Sequence, residues 1–282
     1  MLGARVASAV VLIPIVLLLI WFSVETTAVL AVVGALIGTS EFYNIAAHAP
    51  ARYRPLTLPG LVLALFLCYF AWSPYARSLI LCAIAIGLLL IFAALFLLLR
   101  DFGSPKPADS KAGFGMNWLL TVFAPVYVTM PLALLVLIRK EEPTFHLSGW
   151  LWLALLGTWG TDTAAYFVGR WLGKHKLAPG ISPKKTVEGA IGGVIIGVIA
   201  VVILGQLLLN LPLYFGLLLG LAVTSGSIVG DLFESWVKRR FDTKDSGTLI
   251  PGHGGLLDRI DSFLAVSVLV YIFFKIYPHL GH

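Results

Sequence analysis

Charge is what this sequence has least of. Only 12% of its 282 residues are Asp, Glu, Lys or Arg, against 59% hydrophobic, and the mean hydropathy is +0.94. That balance excludes an ordinary soluble domain and places the chain with integral membrane proteins. Cysteine is nearly absent. Cys68 and Cys82 both lie in apolar runs, so neither a disulfide framework nor a cysteine metal site is implied. No ten-residue alternation of polar and apolar residues suggests a barrel, which leaves helices as the way to satisfy the backbone in lipid. The net charge of +6 is modest, and its basic residues sit between apolar runs rather than in a tract, so a nucleic-acid partner is not expected. Arg5 precedes an apolar run as in a signal peptide, but no cleavage site follows, and the run reads as a retained first span.

What is present in quantity is long apolar sequence. A span needs about 20 mostly apolar residues, and nine runs qualify: 6–24, 26–47, 56–72, 77–99, 116–138, 149–168, 187–209, 211–230 and 262–278. The expected fold is therefore an all-α polytopic membrane protein, with N-terminal helices over 1–115 and a C-terminal catalytic region over 116–282. With the N-terminus in the cytoplasm, only Arg77, Arg139, Lys140 and Lys275 of the 20 Lys and Arg fall on the far side. The positive-inside rule favours that orientation, with loops 169–188 and 231–261 cytoplasmic and the C-terminus outside. Glu41 lies inside the second run, where a carboxylate is costly. Pairing with Arg52 or Arg54 near the interface is its plainest explanation, ahead of a role at the site. Gly189, Gly193 and Gly197, and the pairs Gly216/Gly220 and Gly226/Gly230, have the spacing of close helix packing, internal or in a homodimer seam. His48 and His175 read as solvated, and His146, His279 and His282 carry no role.

The longest polar interval runs from Gly230 to Ser262. Asp231, Glu234, Ser235 and Lys238 fall at i, i+3, i+4 and i+7, one face of a helix. Lys244 and Asp245 follow, then Pro251-Gly252-His253-Gly254-Gly255, which requires a turn, then Asp258, Arg259 and Asp261. Carboxylates with cations and a glycine-rich turn suit a divalent metal holding a polyphosphate. Two more features belong with them. Asp162 shares a face with Thr158 and Tyr166 in the sixth run, where an aspartate is tolerable beside a polar cavity or in a structural hydrogen bond. Ser182, Lys184, Lys185 and Thr186 precede a helix start, an arrangement that suits an anion, and taken alone its lysines also read as positive-inside loop charge.

The order Ser235, Lys238-Arg239, Lys244-Asp245, Gly247, Pro251, His253-Gly254-Gly255, Asp258-Arg259, Asp261 resembles the signature of the phosphatidate cytidylyltransferases, and 182–189 resembles a second segment of that family. The resemblance implies transfer of CMP from CTP to phosphatidate, giving CDP-diacylglycerol and pyrophosphate at the cytoplasmic face of a bacterial inner membrane. It also implies Mg²⁺ or another divalent cation on Asp231 and Asp258, which would share one site, with a second cation as a further option. Asp231, Lys238, Asp258 and Asp261 would then be catalytic. Substrate contacts would fall to Asp162, Ser182, Lys184, Lys185, Ser235, Arg239, Lys244, Asp245, His253, Gly254, Gly255 and Arg259. Asp258 is expected at the surface, so that Asp258→Asn spares folding.

Two other readings compete. One is a CTP-dependent kinase of a polyprenol-type alcohol, which would need a base for its nucleophile. The other is a transporter, against which stands the gathering of ionisable groups at one face rather than at a midplane. A CDP-alcohol phosphotransferase lacks its Asp-Gly-x-x-Ala-Arg segment here. The orientation is testable directly. A cysteine placed by Thr248→Cys should react with an impermeant thiol reagent only from the cytoplasmic side, and labelling from outside intact cells refutes the nine-span arrangement.

Overall fold

A computed structural model describes residues 2–48, 53–73, 111–142, 148–250 and 254–280. Among them the chain is almost entirely helical. The helices are α1 (Leu2–Phe22), α2 (Val24–His48), α3 (Thr57–Trp72), α4 (Lys111–Glu141), α5 (Gly149–Leu172), α6 (Val187–Leu209), α7 (Leu213–Arg240) and α8 (Leu257–Ile276). A 3₁₀ turn, Tyr277–Leu280, follows α8. Helices α2, α4, α6, α7 and α8 contain segments long and apolar enough to cross a membrane, and α1 and α3 carry shorter apolar stretches. The run 77–99 lies outside the described residues. Helix α5 falls outside that set, interrupted by Thr158, Thr161, Asp162 and Thr163.

Three features depart from the sequence expectation. Helix α4 begins at Lys111, five residues before the apolar run 116–138. Helix α7 continues through Arg240 rather than ending at 230, as the one-face spacing of Asp231 to Lys238 anticipates. Glu234 and Val237 are buried along that extension, so packing continues past the apolar run. Residues 176–186, read as loop, form an antiparallel hairpin of β1 (Lys176–Ala178) and β2 (Ser182–Thr186), too short to show a period-2 signature.

The chain forms two compact units that do not follow chain order. The first joins Met1–Leu137 to Lys238–Arg259, and the second joins Ile138–Val237 to Ile260–His282. In the first unit Phe42 of α2 sits 5.5 Å from Phe123 of α4 and 6.4 Å from Phe241, ring centre to centre. Phe241 follows the last residue of α7, so this aromatic cluster anchors the chain where the polar segment begins. Asp242 adopts φ 56°, and the Thr243 N–H returns to the Lys238 carbonyl at 2.8 Å, closing the helix in the left-handed manner typical of C-termini.

In the second unit the small-residue stripes are used internally. A Cβ at Gly193 would meet the Ala165 Cβ at 2.9 Å. One at Gly220 would meet the Val198 Cα at 3.1 Å, and one at Gly230 the Asp261 carbonyl at 2.8 Å. Helices α5, α6, α7 and α8 therefore approach backbone to backbone, as glycine permits. Helix α6 ends at Asn210, whose φ of 52° and N–H to the Gln206 carbonyl make a left-handed cap.

Gly197 is the tightest of these contacts between three helices. A Cβ there would lie 2.5 Å from Thr161 Oγ1 of α5 and 2.6 Å from Thr224 Cγ2 of α7. Gly197→Leu should lower thermal stability in detergent by about 1–3 kcal/mol, the usual cost of overpacking. Gly160→Ala, where a Cβ meets nothing within 4 Å, serves as the control. Equal melting curves for the two variants would contradict the packing described.

Candidate functional site

The hairpin places the basic residues of 182–189 by strand geometry. Consecutive strand residues point to opposite faces, so Lys184 is exposed while Lys185 turns to Asp231 of α7, Nζ to Oδ2 2.6 Å. Asp231 Oδ1 accepts from the Ser235 hydroxyl one helical turn on, at 3.2 Å. The hairpin is fastened at its base by Glu188. That carboxylate accepts the N–H of Lys174 at 3.0 Å and stands 2.6 Å from His175 Nδ1, so His175 is partnered rather than merely solvated. Thr186 caps α6 by accepting the Gly189 N–H. In the same unit Asp162 of α5 accepts from the Ser227 hydroxyl of α7 at 2.6 Å, the structural hydrogen bond that was one of its two expected roles, and its side chain stays accessible. Ser182 begins β2, and Asp261 accepts the Ser262 N–H in the first turns of α8.

The first unit holds the rest of the signature, and its centre is Asp258. Oδ1 receives Lys238 Nζ at 2.6 Å, while Oδ2 accepts the N–H of Ser246 at 2.9 Å and of Gly255 at 3.0 Å. The two charged side chains are only 11% and 8% exposed. Asp258 is thus not a surface carboxylate, and the expectation that Asp258→Asn spares folding is corrected. Removing one partner of a buried pair leaves an uncompensated charge, a loss of about 3–5 kcal/mol. Gly254 takes φ +86°, a conformation that favours glycine, and bridges to Ile250 across the turn. His253 lies outside the described residues. Arg239 donates to the Thr243 carbonyl at 3.3 Å, and Lys244, Asp245 and Arg259 are exposed. A cleft of ≈ 790 Å³ runs between α2 and residues 243–249, with Ser40, Asn44, His48, Lys244 and Asp245 on its wall.

Sequence reasoning gave Glu41 an interfacial arginine as its plainest partner and passed over Ser246. Among the described residues Glu41 is met by backbone and hydroxyl donors rather than by Arg54, and Arg52 lies outside them. It is 6% exposed and accepts the N–H of Leu256 at 2.9 Å and of Leu257 at 2.8 Å, and the Ser246 hydroxyl at 3.1 Å. The available signal was the carboxylate itself, isolated within an apolar run.

The residues can be tested against a divalent metal by donor chemistry. Among the described residues no three His, Cys, Asp or Glu side chains form a cage. Mg²⁺ does not require one, since it is usually bound by one or two carboxylates plus phosphate oxygens and water. Asp231, one-third exposed, has the oxygen donors for such a metal–phosphate group, and the Lys185 ammonium now on its Oδ2 would have to give way to the cation. Asp258 has the right donor chemistry with both oxygens already in hydrogen bonds.

Residues 3–277 match the model of the Cytidylyltransferase family. Relatives named phosphatidate cytidylyltransferase include one from Bacillus subtilis, 43% identical over 129 residues, which is 45% of this chain and 48% of the relative. One from Brucella suis is 44% identical over 142 residues, 50% and 52% of the two chains. One from Staphylococcus saprophyticus is 46% identical over 120 residues, 42% and 46%. The chain thus spans about half the length of the curated relatives it matches.

The Lys185–Asp231 pair is 24% and 33% exposed, so water screens it. A double-mutant cycle with Lys185→Ala and Asp231→Ala should give a coupling of about 0.2–1 kcal/mol in thermal stability. Lys184→Ala should leave stability unchanged. A coupling to Asp231 as large for Lys184 as for Lys185 would overturn the placement of the two lysines.

Proposed function

Because the chain belongs to the Cytidylyltransferase family, we propose that it transfers CMP from CTP to phosphatidate, giving CDP-diacylglycerol and pyrophosphate in phospholipid synthesis. One observation carries this reading. Lys238 and Asp258, twenty positions apart in the signature, form a buried ion pair whose carboxylate also gathers the Ser246 and Gly255 N–H groups. A packing role alone does not call for a buried pair where apolar residues serve as well. The reading also includes nine spans with the signature facing the cytoplasm, where CTP is available.

The chemistry asks for little from a protein base. A phosphatidate oxygen, already anionic near neutral pH, attacks the α-phosphorus of CTP as the bond to the bridging oxygen breaks and pyrophosphate leaves. The barrier lies in joining two anions and holding the leaving group's charge, which positioned cations lower. Lys184, Lys185, Lys244 and Arg259 contact phosphate, Lys185 by exchanging its pairing with Asp231. Lys238 holds Asp258 in its ionised form. Asp231 and Asp258 are each proposed as carboxylate ligands of a divalent cation, which when bound neutralises phosphate charge. An alcohol kinase would need a base beside its nucleophile, which the phosphatidate oxygen does not.

Purified protein in mixed micelles with CTP, phosphatidate and Mg²⁺ should release CDP-diacylglycerol and pyrophosphate in equal amounts. Nucleoside diphosphate with a phosphorylated alcohol would favour the kinase instead. Asp231→Asn should raise the Mg²⁺ requirement and reduce turnover by orders of magnitude, while Lys184→Ala with Lys185→Ala should cost ten- to hundredfold. Unchanged kinetic constants for both substrates would leave the lysine loop with a topological role alone.

A further inference from the structure

We propose that Glu41 is a positioning residue for the reaction, a carboxylate from the second helix that fixes where Asp258 stands. The inference rests on the cytidylyl-transfer reading above and deepens it by adding a residue outside the signature.

All the connections lie within the first unit. Glu41 takes both N–H groups at the start of α8, Leu256 on Oε1 and Leu257 on Oε2, and Oε2 also takes the Ser246 hydroxyl. Ser246 then faces Asp258 twice. Its N–H donates to Asp258 Oδ2 at 2.9 Å, and its hydroxyl oxygen accepts the Asp258 N–H at 3.3 Å. Ser246 is therefore a bridge between the two carboxylates, and it is itself only 3% exposed.

The two turns of chain close around this carboxylate. A Cβ at Gly255 would stand 2.0 Å from Ser246 Oγ and 2.6 Å from Glu41 Oε2, and one at Gly247 would stand 3.0 Å from Glu41 Oε1. Two glycines of the signature are thereby explained by Glu41, which the signature does not contain.

Three donors converge on one buried anion, and that anion sits at the N-terminal end of α8, where the helix dipole favours negative charge. A glutamine of the same shape would keep the packing. It would also set an amide NH₂ against an N–H or hydroxyl donor that the second carboxylate oxygen now accepts. The expected result is a displaced Ser246 and Asp258 with the helices intact. Misplacement of a reacting arrangement by about 1 Å can cost on the order of a hundredfold in rate.

The experiment compares wild type, Glu41→Gln, Ser246→Ala and the double variant as full-length protein in mixed micelles. Glu41→Gln should lower kcat ten- to hundredfold with KM for CTP and phosphatidate within about twofold, and Glu41→Asp should not restore it, being too short for all three donors. If Glu41 acts through Ser246, the double variant should be little worse than the worse single one. Multiplied effects, or a loss that only follows the unfolded fraction, would overturn the proposal. A second readout is independent of activity: amide hydrogen exchange at Leu256 and Leu257 should accelerate in Glu41→Gln relative to the middle of α8. Unchanged protection there overturns the positioning role even if the enzyme reading stands. A folded wild type that forms no CDP-diacylglycerol overturns the enzyme reading itself.

Discussion

A carboxylate removed from water must be met by donors, and the first unit is arranged around two that are. Asp258 and Glu41 are both nearly inaccessible, and together they gather an ammonium, a hydroxyl and four backbone N–H groups. In a medium of low polarity an unmet carboxylate would be protonated or would expel the segment that carries it. The polar segment after α7 is thus held in place by its ionic groups, with Phe241 as its apolar anchor. The loop has little regular structure of its own, yet the N–H groups of Ser246, Gly255, Leu256 and Leu257 all end on these two carboxylates. Its conformation is set by two side chains rather than by a ladder of backbone hydrogen bonds.

The second unit solves a different problem by different means. Its helices come close because glycines line the contacts, and its polar groups meet in pairs, Asp162 with Ser227 and Lys185 with Asp231. The exposed halves of these pairs remain adaptable, as the proposed exchange of Lys185 from Asp231 to phosphate requires. The first unit thus holds a buried network and the second accessible pairs.

Much of this was legible in the sequence, and the limits have physical causes. Helix α6 was read with its observed bounds because it is a clean apolar run between Thr186 and Asn210, a side-chain cap and a left-handed cap. The far end of α7 was less clear in hydropathy, since Asp231 to Arg240 is polar, and only the one-face spacing pointed to continued helix. The hairpin was missed because five strand residues with a proline carry no periodic signal. Lys238 and Asp258, which the structure pairs, stand at the fixed spacing of the signature. Glu41 was noticed and misjudged, because its donors lie more than 200 positions away and no local pattern connects them.

That distance has a consequence for how the protein is made. Glu41 leaves the ribosome 205 residues before Ser246 and 216 before Leu257. At about 5–20 residues per second, synthesis of that interval lasts on the order of 10–40 s. Throughout it, α2 holds a carboxylate whose final donors do not yet exist. The nascent helix must therefore wait with that group hydrated at the membrane surface or shielded by another protein. The burial of Glu41 is then one of the last events of assembly, and a chain truncated before residue 246 would keep a reason to be recognised as unfinished.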